Sequence, residues 1–290
     1  MIIDCHAHYD TRVIDAAGLI EMMEKAGVRR TALIPHPIDP PETKKSGALM
    51  AVQRTMFYYN SLRPFGAAIT KSMYTKDGEW NMWYRKFMPG GAQRFSIGKT
   101  PDNGGVAEAV SRYPDRLLGW IFLNPENEDA LDELERWRVV PGMIGVKLHP
   151  FVHRFPMQKA ALVAKRAEEL GLPLLVHLGF GPCGDYNWLI ERFPGLKVIF
   201  AHLGVPFYKA MWPLIARSPN AYMDISSVHH VSEGLVRKAV KAVGPSKCLF
   251  GSDSVYTGDE IMAIRGWVEG LDISEVEKEM IFSTNFLGLI

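Results

Sequence analysis

The chain has 290 residues, 47% of them hydrophobic, with 33 basic against 32 acidic side chains. That is enough apolar matter for one large core, and a formal net charge of +1 gives no electrostatic reason to expect nucleic acid or a membrane surface as partner. No apolar run approaches the roughly 20 residues needed to cross a bilayer. The three cysteines, Cys5, Cys183 and Cys248, are odd in number and widely scattered, which argues against a disulfide framework. The N-terminal residues lack a basic segment followed by an apolar stretch, so a cytoplasmic protein is expected.

Short β-like runs alternate with amphipathic helical patterns, the signature of a parallel α/β fold. The first strand is predicted over residues 1–6 and the second over 31–35. The following stretch, 36–116, is too long for an ordinary connection. It opens with Pro35-His-Pro-Ile-Asp-Pro-Pro41, which cannot be helical. A helix is predicted over Met50–Leu62, followed by the aromatic-rich Met73–Phe87 and a loop over Gly90–Gly105. Nothing in its composition marks a second domain, so 36–116 is expected to be an insertion forming a lid over the mouth of the fold. Strands follow at 117–123 and 143–149. Met157–Leu170 repeats apolar residues every three or four positions, and Gly171-Leu-Pro173 supplies a helix stop and a strand start. The last strands are predicted at 173–178, 197–202, 220–226 and 247–252. Eight strands with helices between them predict one closed (β/α)8 barrel over residues 1–290.

Four of the apolar runs close on a histidine or an aspartate. His6 and His8 end the first, in Met1-Ile-Ile-Asp-Cys-His-Ala-His8, and by strand alternation they face the same side with Ala7 opposite. His177 closes Leu174-Leu-Val-His177, His202 closes Val198-Ile-Phe-Ala-His202, and Asp253 closes Leu249-Phe-Gly-Ser-Asp253. Each has an innocent reading, a hydrogen-bonded core histidine or a helix-capping aspartate. Their recurrence points instead to one divalent-metal site assembled from several strand ends. Zinc, manganese, cobalt and iron all accept such donors. Lys147 and His149 lie on one face of Ile144-Gly-Val-Lys-Leu-His-Pro150. A lysine in a barrel strand is costly unless paired or modified. It could pair with Asp4 or Asp253, meet a substrate anion, or carry a metal-bridging carbamate.

The motifs His6-Ala-His8, Gly145-Val-Lys-Leu-His-Pro150, Val176-His-Leu-Gly179, Ala201-His-Leu-Gly204 and Gly251-Ser-Asp253 together resemble the amidohydrolase superfamily. The similarity covers nearly the whole chain, least over 36–116. The branch it resembles most includes aminocarboxymuconate-semialdehyde decarboxylase and related lactone hydrolases and hydratases. That resemblance implies a TIM barrel with one ion, usually zinc, held by His6, His8, His177 and Asp253. His202 then acts beside the metal-bound water. In the binuclear branch a carboxylated lysine at the position of Lys147 bridges two ions and His202 binds the second. Metal-dependent nucleases share the His-X-His pair but usually carry glutamate where Lys147 stands here.

The expected activity is hydrolysis of a C–O or C–N bond, of lactone or amide type, in a small carboxylated compound. Asp253 would be the proton carrier and His202 its helper. Non-oxidative decarboxylation on the same site is the alternative, and a non-catalytic metal-binding protein the alternative from another class. Lys147, His149, Arg54 and His229 are the expected substrate contacts, with His230 as the other member of the His229-His230 pair and Arg63 and Cys183 as further candidates. Family habit implies a homodimer.

Overall fold

The computed structural model describes residues 1–36, 47–72, 100–254 and 258–290. The expected extended run over 37–41, the aromatic-rich stretch 73–87 and the loop over 90–99 lie outside the described residues. Eight strands are present: β1 Ile3–Tyr9, β2 Arg30–Pro35, β3 Leu117–Leu123, β4 Met143–Leu148, β5 Leu174–Val176, β6 Val198–Phe200, β7 Ala221–Asp224 and β8 Cys248–Leu249. They form one sheet in sequential order, and every neighbouring pair is parallel.

The sheet closes on itself through the residues that follow β8. Cys5 N–H donates to the Phe250 carbonyl at 3.0 Å, and His8 N–H to that of Ser254 at 3.0 Å. In return the N–H groups of Ser252 and Asp253 donate to the His6 carbonyl at 3.2 and 2.6 Å. Asp4 braces this seam. Its carboxylate accepts from Ser252 N–H at 2.9 Å and from Ser252 Oγ–H at 2.5 Å. Burial pushes the Asp4 carboxyl up to about 7, against the hydrogen bonds from Ser252 and His6 that favour its charge.

Two apolar cores follow from the closed sheet. Outward-facing residues such as Leu33, Val146, Val176 and Phe200 pack under the helices. Inward-facing Ile34, Trp120, Phe122, Leu175 and Ile199 fill the barrel, and Phe286 and Leu289 join them from the C-terminal segment. The Trp120 indole N–H donates to the Cys5 carbonyl at 2.9 Å, so the largest interior side chain is also satisfied. Gly145 stands where a Cβ would come within 2.6 Å of the Trp120 ring, which is why that inward position carries no side chain.

A register shift between β1 and β2, at Asp4–Ala7, changes which way β1 presents its side chains. Ile3 and Cys5 belong to the interior core, whereas Ala7 and Tyr9 belong to the outer one. His6 and His8, opposite Ala7 and Tyr9, are thereby turned into the barrel. An irregularity of this kind is how strands re-aim side chains at functional sites.

The helices start and stop on local chemistry. Helix α1 (Ala16–Ala26) is capped by Asp15, which accepts from Gly18 N–H at 2.8 Å, and it ends at Gly27 with φ of 71°. The next described helices are α2 (Gly47–Tyr58), α3 (Arg63–Ser72) and α4 (Asn103–Arg112). Helix α4 packs against β2 and β3 as the barrel's own second helix. The Asn103 amide ties it to β3, donating to Phe122 O at 2.9 Å and accepting from Phe122 N–H at 2.8 Å. The loop expected to run to Gly105 therefore gives way to a helix at Asn103, capped by Asp102, and the extra segment after β2 is shorter than 36–116. The helix expected over Met157–Leu170 begins as a 3-10 turn, Met157–Ala160, before the α-helix Ala161–Leu170.

Helices α2 and α3 pack over the loops that follow β5, β6 and β7. Phe57 lies with its ring 5.3 Å from that of Phe180, and Arg54 donates to the carbonyls of Val228 and Val231, both at 3.1 Å. Arg63 donates to Phe207 O at 3.2 Å and lies over its ring. Among the described residues no helix is long and apolar enough to cross a membrane, and all three cysteines are free thiols.

The seam makes the first test. Ser252→Ala removes one hydroxyl that both donates to Asp4 and accepts from Ser254 N–H at 3.0 Å. It should lower the unfolding free energy by about 1–3 kcal/mol in urea denaturation with an unchanged far-ultraviolet circular dichroism spectrum. A variant as stable as the parent would show that the Ser252 hydroxyl does not hold the seam.

Candidate metal centre

At the carboxyl ends of the strands the barrel gathers several imidazoles, two carboxylates and a lysine. His6 and His8 come from β1, Lys147 and His149 from β4 and the residue after it, and His177 follows β5. His202 follows β6, Asp224 ends β7 and Asp253 follows β8. His6, Lys147 and Asp224 are fully buried, and His202 almost so. Asp253 keeps 18% of its side chain accessible, which leaves it the more open of the two carboxylates.

Three donors converge most closely. His6 Nε2 and His8 Nε2 lie 3.3 and 3.2 Å from the same oxygen, Asp253 Oδ1. His6, His8 and Asp253 form one set whose potential ligand atoms all lie within 4.8 Å of one another. His6, His202 and Asp224 form a second such set, and His177, His202 and His230 a third. The structure thus unites three of the four expected ligands. His177 groups with His202 and His230 instead, its Nδ1 lying 3.2 Å from His202 Nε2. His202 is the bridge between the sets, with its Nε2 4.0 Å from Asp253 Oδ2.

The donor chemistry fits a divalent ion. His6 Nδ1 lies 2.8 Å from Asp224 Oδ2, so it carries a proton that it donates, and Nε2 presents a lone pair to Asp253 Oδ1. Two acceptors 3.3 Å apart repel unless a cation lies between them. Imidazole nitrogen and carboxylate oxygen are donors that zinc, manganese and similar ions accept. The Asp224–His6 pair is also the outer-shell arrangement that commonly orients a metal-binding imidazole.

Charge states agree. Burial, with the Lys147 charge adding to it, pushes His6 down to about 4. Burial likewise holds His149 and His177 well below the usual imidazole range, and lowers His202. These four imidazoles are therefore neutral and can bind metal. Burial opposes the charge of Asp253, but His202, the hydrogen bond from His8 and His6 together hold its carboxyl well below the carboxylate range. Asp224 is held low in the same manner, against burial, by His6, His202 and Ser226. Burial pushes Lys147 down to about 8, with Asp224 and Asp253 working in the other direction. Its Nζ lies 3.5 Å from His6 Nε2, and among the described residues no carboxylate comes within ion-pair distance. The direct pairing with Asp4 or Asp253 considered from sequence is thus not made.

His149 stacks on His177 at 4.2 Å between ring centroids, and its Nδ1 accepts from Val152 N–H at 3.3 Å. It lines the centre from the β4 side. His229, expected to face substrate, is turned outward: it is 41% exposed and its Nε2 lies 3.4 Å from Glu260 Oε1. The neighbouring His230 takes the inward place, with ring centroids 5.1 Å from His202 and 5.6 Å from His177. In this turn the pair thus offers one ring, His230, to the site. Arg54 and Arg63 do not reach the metal-ligand sets, because their guanidinium groups are engaged on the backbone carbonyls of Val228, Val231 and Phe207. Cys183 lies in the turn after β5, half-buried, with burial raising its thiol above the ordinary range.

Sequence reasoning passes over Asp224 and Ser226. Asp224 closes Ala221-Tyr-Met-Asp224 just as Asp253 closes its own run, and that strand ending is the signal that marks it. Ser226 carries no such signal, since serine after a strand is common in any loop.

A comparison with curated proteins finds no match. Solved structures share the fold across both chains' lengths. The 2,6-dihydroxybenzoate decarboxylase from Rhizobium is 14% identical, with a TM-score of 0.60 over 99% of this chain and 98% of that one. The 4-oxalomesaconate hydratase from Rhodopseudomonas palustris is 15% identical, with a TM-score of 0.60 over 100% and 95%. A dihydroxybenzoic acid decarboxylase from Polaromonas, solved with bound manganese and the inhibitor 2-nitroresorcinol, is 16% identical, with a TM-score of 0.59 over 99% and 96%. The amidohydrolase family model matches residues 81–285. The eight-stranded barrel with its strand-end histidines and aspartates therefore belongs to an enzyme of the amidohydrolase family.

Proposed function

We propose that this enzyme uses one divalent ion, held by His6, His8 and Asp253 with His177 or His202 completing the set, to hydrolyse a C–O or C–N bond in a small carboxylated compound. The observation that carries the reading is the convergence of the His6 and His8 Nε2 atoms on one Asp253 oxygen, at 3.3 and 3.2 Å. When bound, such an ion polarises a substrate carbonyl and makes water acidic enough to attack near neutral pH. Asp253 accepts the proton of the attacking water on its freer oxygen and returns it to the leaving group. His202, neutral and fixed beside Asp253, positions the water or the developing oxyanion. Lys147 lies against the ligand set, where its charge favours anionic groups. A homodimer is the proposed assembly, from family habit. Helices α2 and α3 form the cover of the mouth, resting on the loops after β5, β6 and β7, and would exclude water from the reaction.

A second reading, non-oxidative decarboxylation, draws support from the decarboxylases that share the fold. The same residues serve it: Asp253 would deliver the proton that replaces the departing carboxylate. Carbon dioxide release separates the two. A hydrolase yields none from lactones or amides of carboxylated compounds, whereas a decarboxylase releases one equivalent per turnover from an unsaturated or aromatic acid.

Two measurements test the shared core. Asp253→Asn should retain the fold and lower kcat by about 100- to 10,000-fold, the range expected for loss of a general acid–base group. Full activity in that variant would remove Asp253 from the mechanism. Dialysis against a strong chelator should abolish turnover, and readdition of zinc or manganese should restore it. Activity that survives verified metal removal would contradict the metal-dependent reading.

A further inference from the structure

Asp224 is a buried carboxylate at the end of β7 with no accessible surface, and it accepts four hydrogen bonds. Oδ1 accepts from His202 N–H at 2.8 Å, from Ser226 N–H at 3.1 Å and from the Ser226 hydroxyl in a short contact. Oδ2 accepts from His6 Nδ1 at 2.8 Å. An ionised carboxylate can only accept, so His6 must hold its proton on Nδ1. The Ser226 hydroxyl has one hydrogen, committed to Asp224. Towards His202 Nδ1, 2.7 Å away, Ser226 Oγ can therefore only accept, and His202 too must carry its proton on Nδ1. Both rings are left with lone pairs on Nε2, the atoms that face Asp253 and His177. The same carboxylate holds the His202 backbone in the left-handed region, at φ of 55°, which a residue other than glycine adopts only when its surroundings impose it.

We propose that Asp224 is the positioning residue of this centre, and that its one carboxylate sets the tautomers of two imidazoles from different strands, His6 directly and His202 through Ser226. The proposal rests on the reading of His6 Nε2 as a metal donor, but its first consequence concerns the metal-free protein. The fixed donors around Oδ1 decide what an amide would do in place of the carboxylate. Two backbone N–H groups and a hydroxyl keep an oxygen on their side, so in Asp224→Asn the NH2 group turns to His6. His6 must then accept on Nδ1 and carry its proton on Nε2, pointing it at the metal position.

The test uses the full chain, labelled with nitrogen-15 in its histidines and freed of metal. Long-range nitrogen–proton spectra should show His6 and His202 as Nδ1–H tautomers in the parent. Asp224→Asn should convert His6 to Nε2–H and leave His202 unchanged, with zinc affinity in chelator competition falling about 10- to 100-fold. Ser226→Ala should do the converse: His202 loses its acceptor and becomes a tautomer mixture, while His6 stays as in the parent. This arm stands alone if Asp224→Asn does not fold. Unchanged tautomers in either folded variant, or unchanged zinc affinity in Asp224→Asn, would overturn the proposal. A purely structural Asp224 would alter stability without selectively moving one ring's proton. If the parent fails to bind zinc or manganese, the metal reading falls, yet the tautomer result still decides the role of Asp224.

Discussion

A closed parallel sheet leaves no free edge, and here the strands at the two ends of the chain must meet without a full-length partner. Strand β8 is only Cys248–Leu249, so the irregular residues 250–254 complete the join to β1. This seam is the constraint on which the centre depends. Asp253 reaches His6 and His8 because its own N–H is bound to the His6 carbonyl and its backbone turns at φ of 58°. Asp4 fixes Ser252 from below. His6, His8 and Asp253 thus share one set of backbone hydrogen bonds. Loosening the seam would separate the His6–Asp253 donors before it unfolded the barrel.

The opposite side of His6 is held by a different element. Asp224 fastens the ring's Nδ1 and, through the His202 N–H and Ser226, the strand end after β6. His6 is therefore oriented from β7 and met from β8, while its own strand is turned inward by the register shift with β2. Pre-organisation of this kind matters because a displaced donor weakens both metal binding and catalysis.

Much of this was legible in the residues. Alternating apolar runs and helical periodicity mark eight strands within a few positions, and the strand-end His and Asp residues mark the mouth. The side chains that support them were not legible. Asp224 has the right strand-end position, but its role depends on a contact with His6, 218 residues away, that only the closed barrel creates. The choice of His230 over His229 depends on the path of the loop after β7, which periodicity does not describe. The start of α4 at Asn103 was hidden by Gly104-Gly105, which read as a loop. Asp102 as cap and the Asn103 clasp on Phe122 outweigh the glycines' low helix propensity.

The charges of the centre bear on the substrate class. His6, His149, His177 and His202 are neutral, Asp224 and Asp253 are anionic, and Lys147 carries at most one positive charge. Without an ion the buried cluster is negative and would repel a carboxylate. Under the proposed reading, a divalent ion reverses that sign, so the ion and Lys147 together supply the attraction for an anionic substrate. No arginine is then required among the ligands. Arg54 and Arg63 are instead placed on backbone carbonyls, where they fasten helices α2 and α3 to the loops after β6 and β7. Substrate charge and metal loading are coupled by this arrangement: an anionic substrate and the ion each favour the other's binding, and a neutral analogue would gain less from the ion.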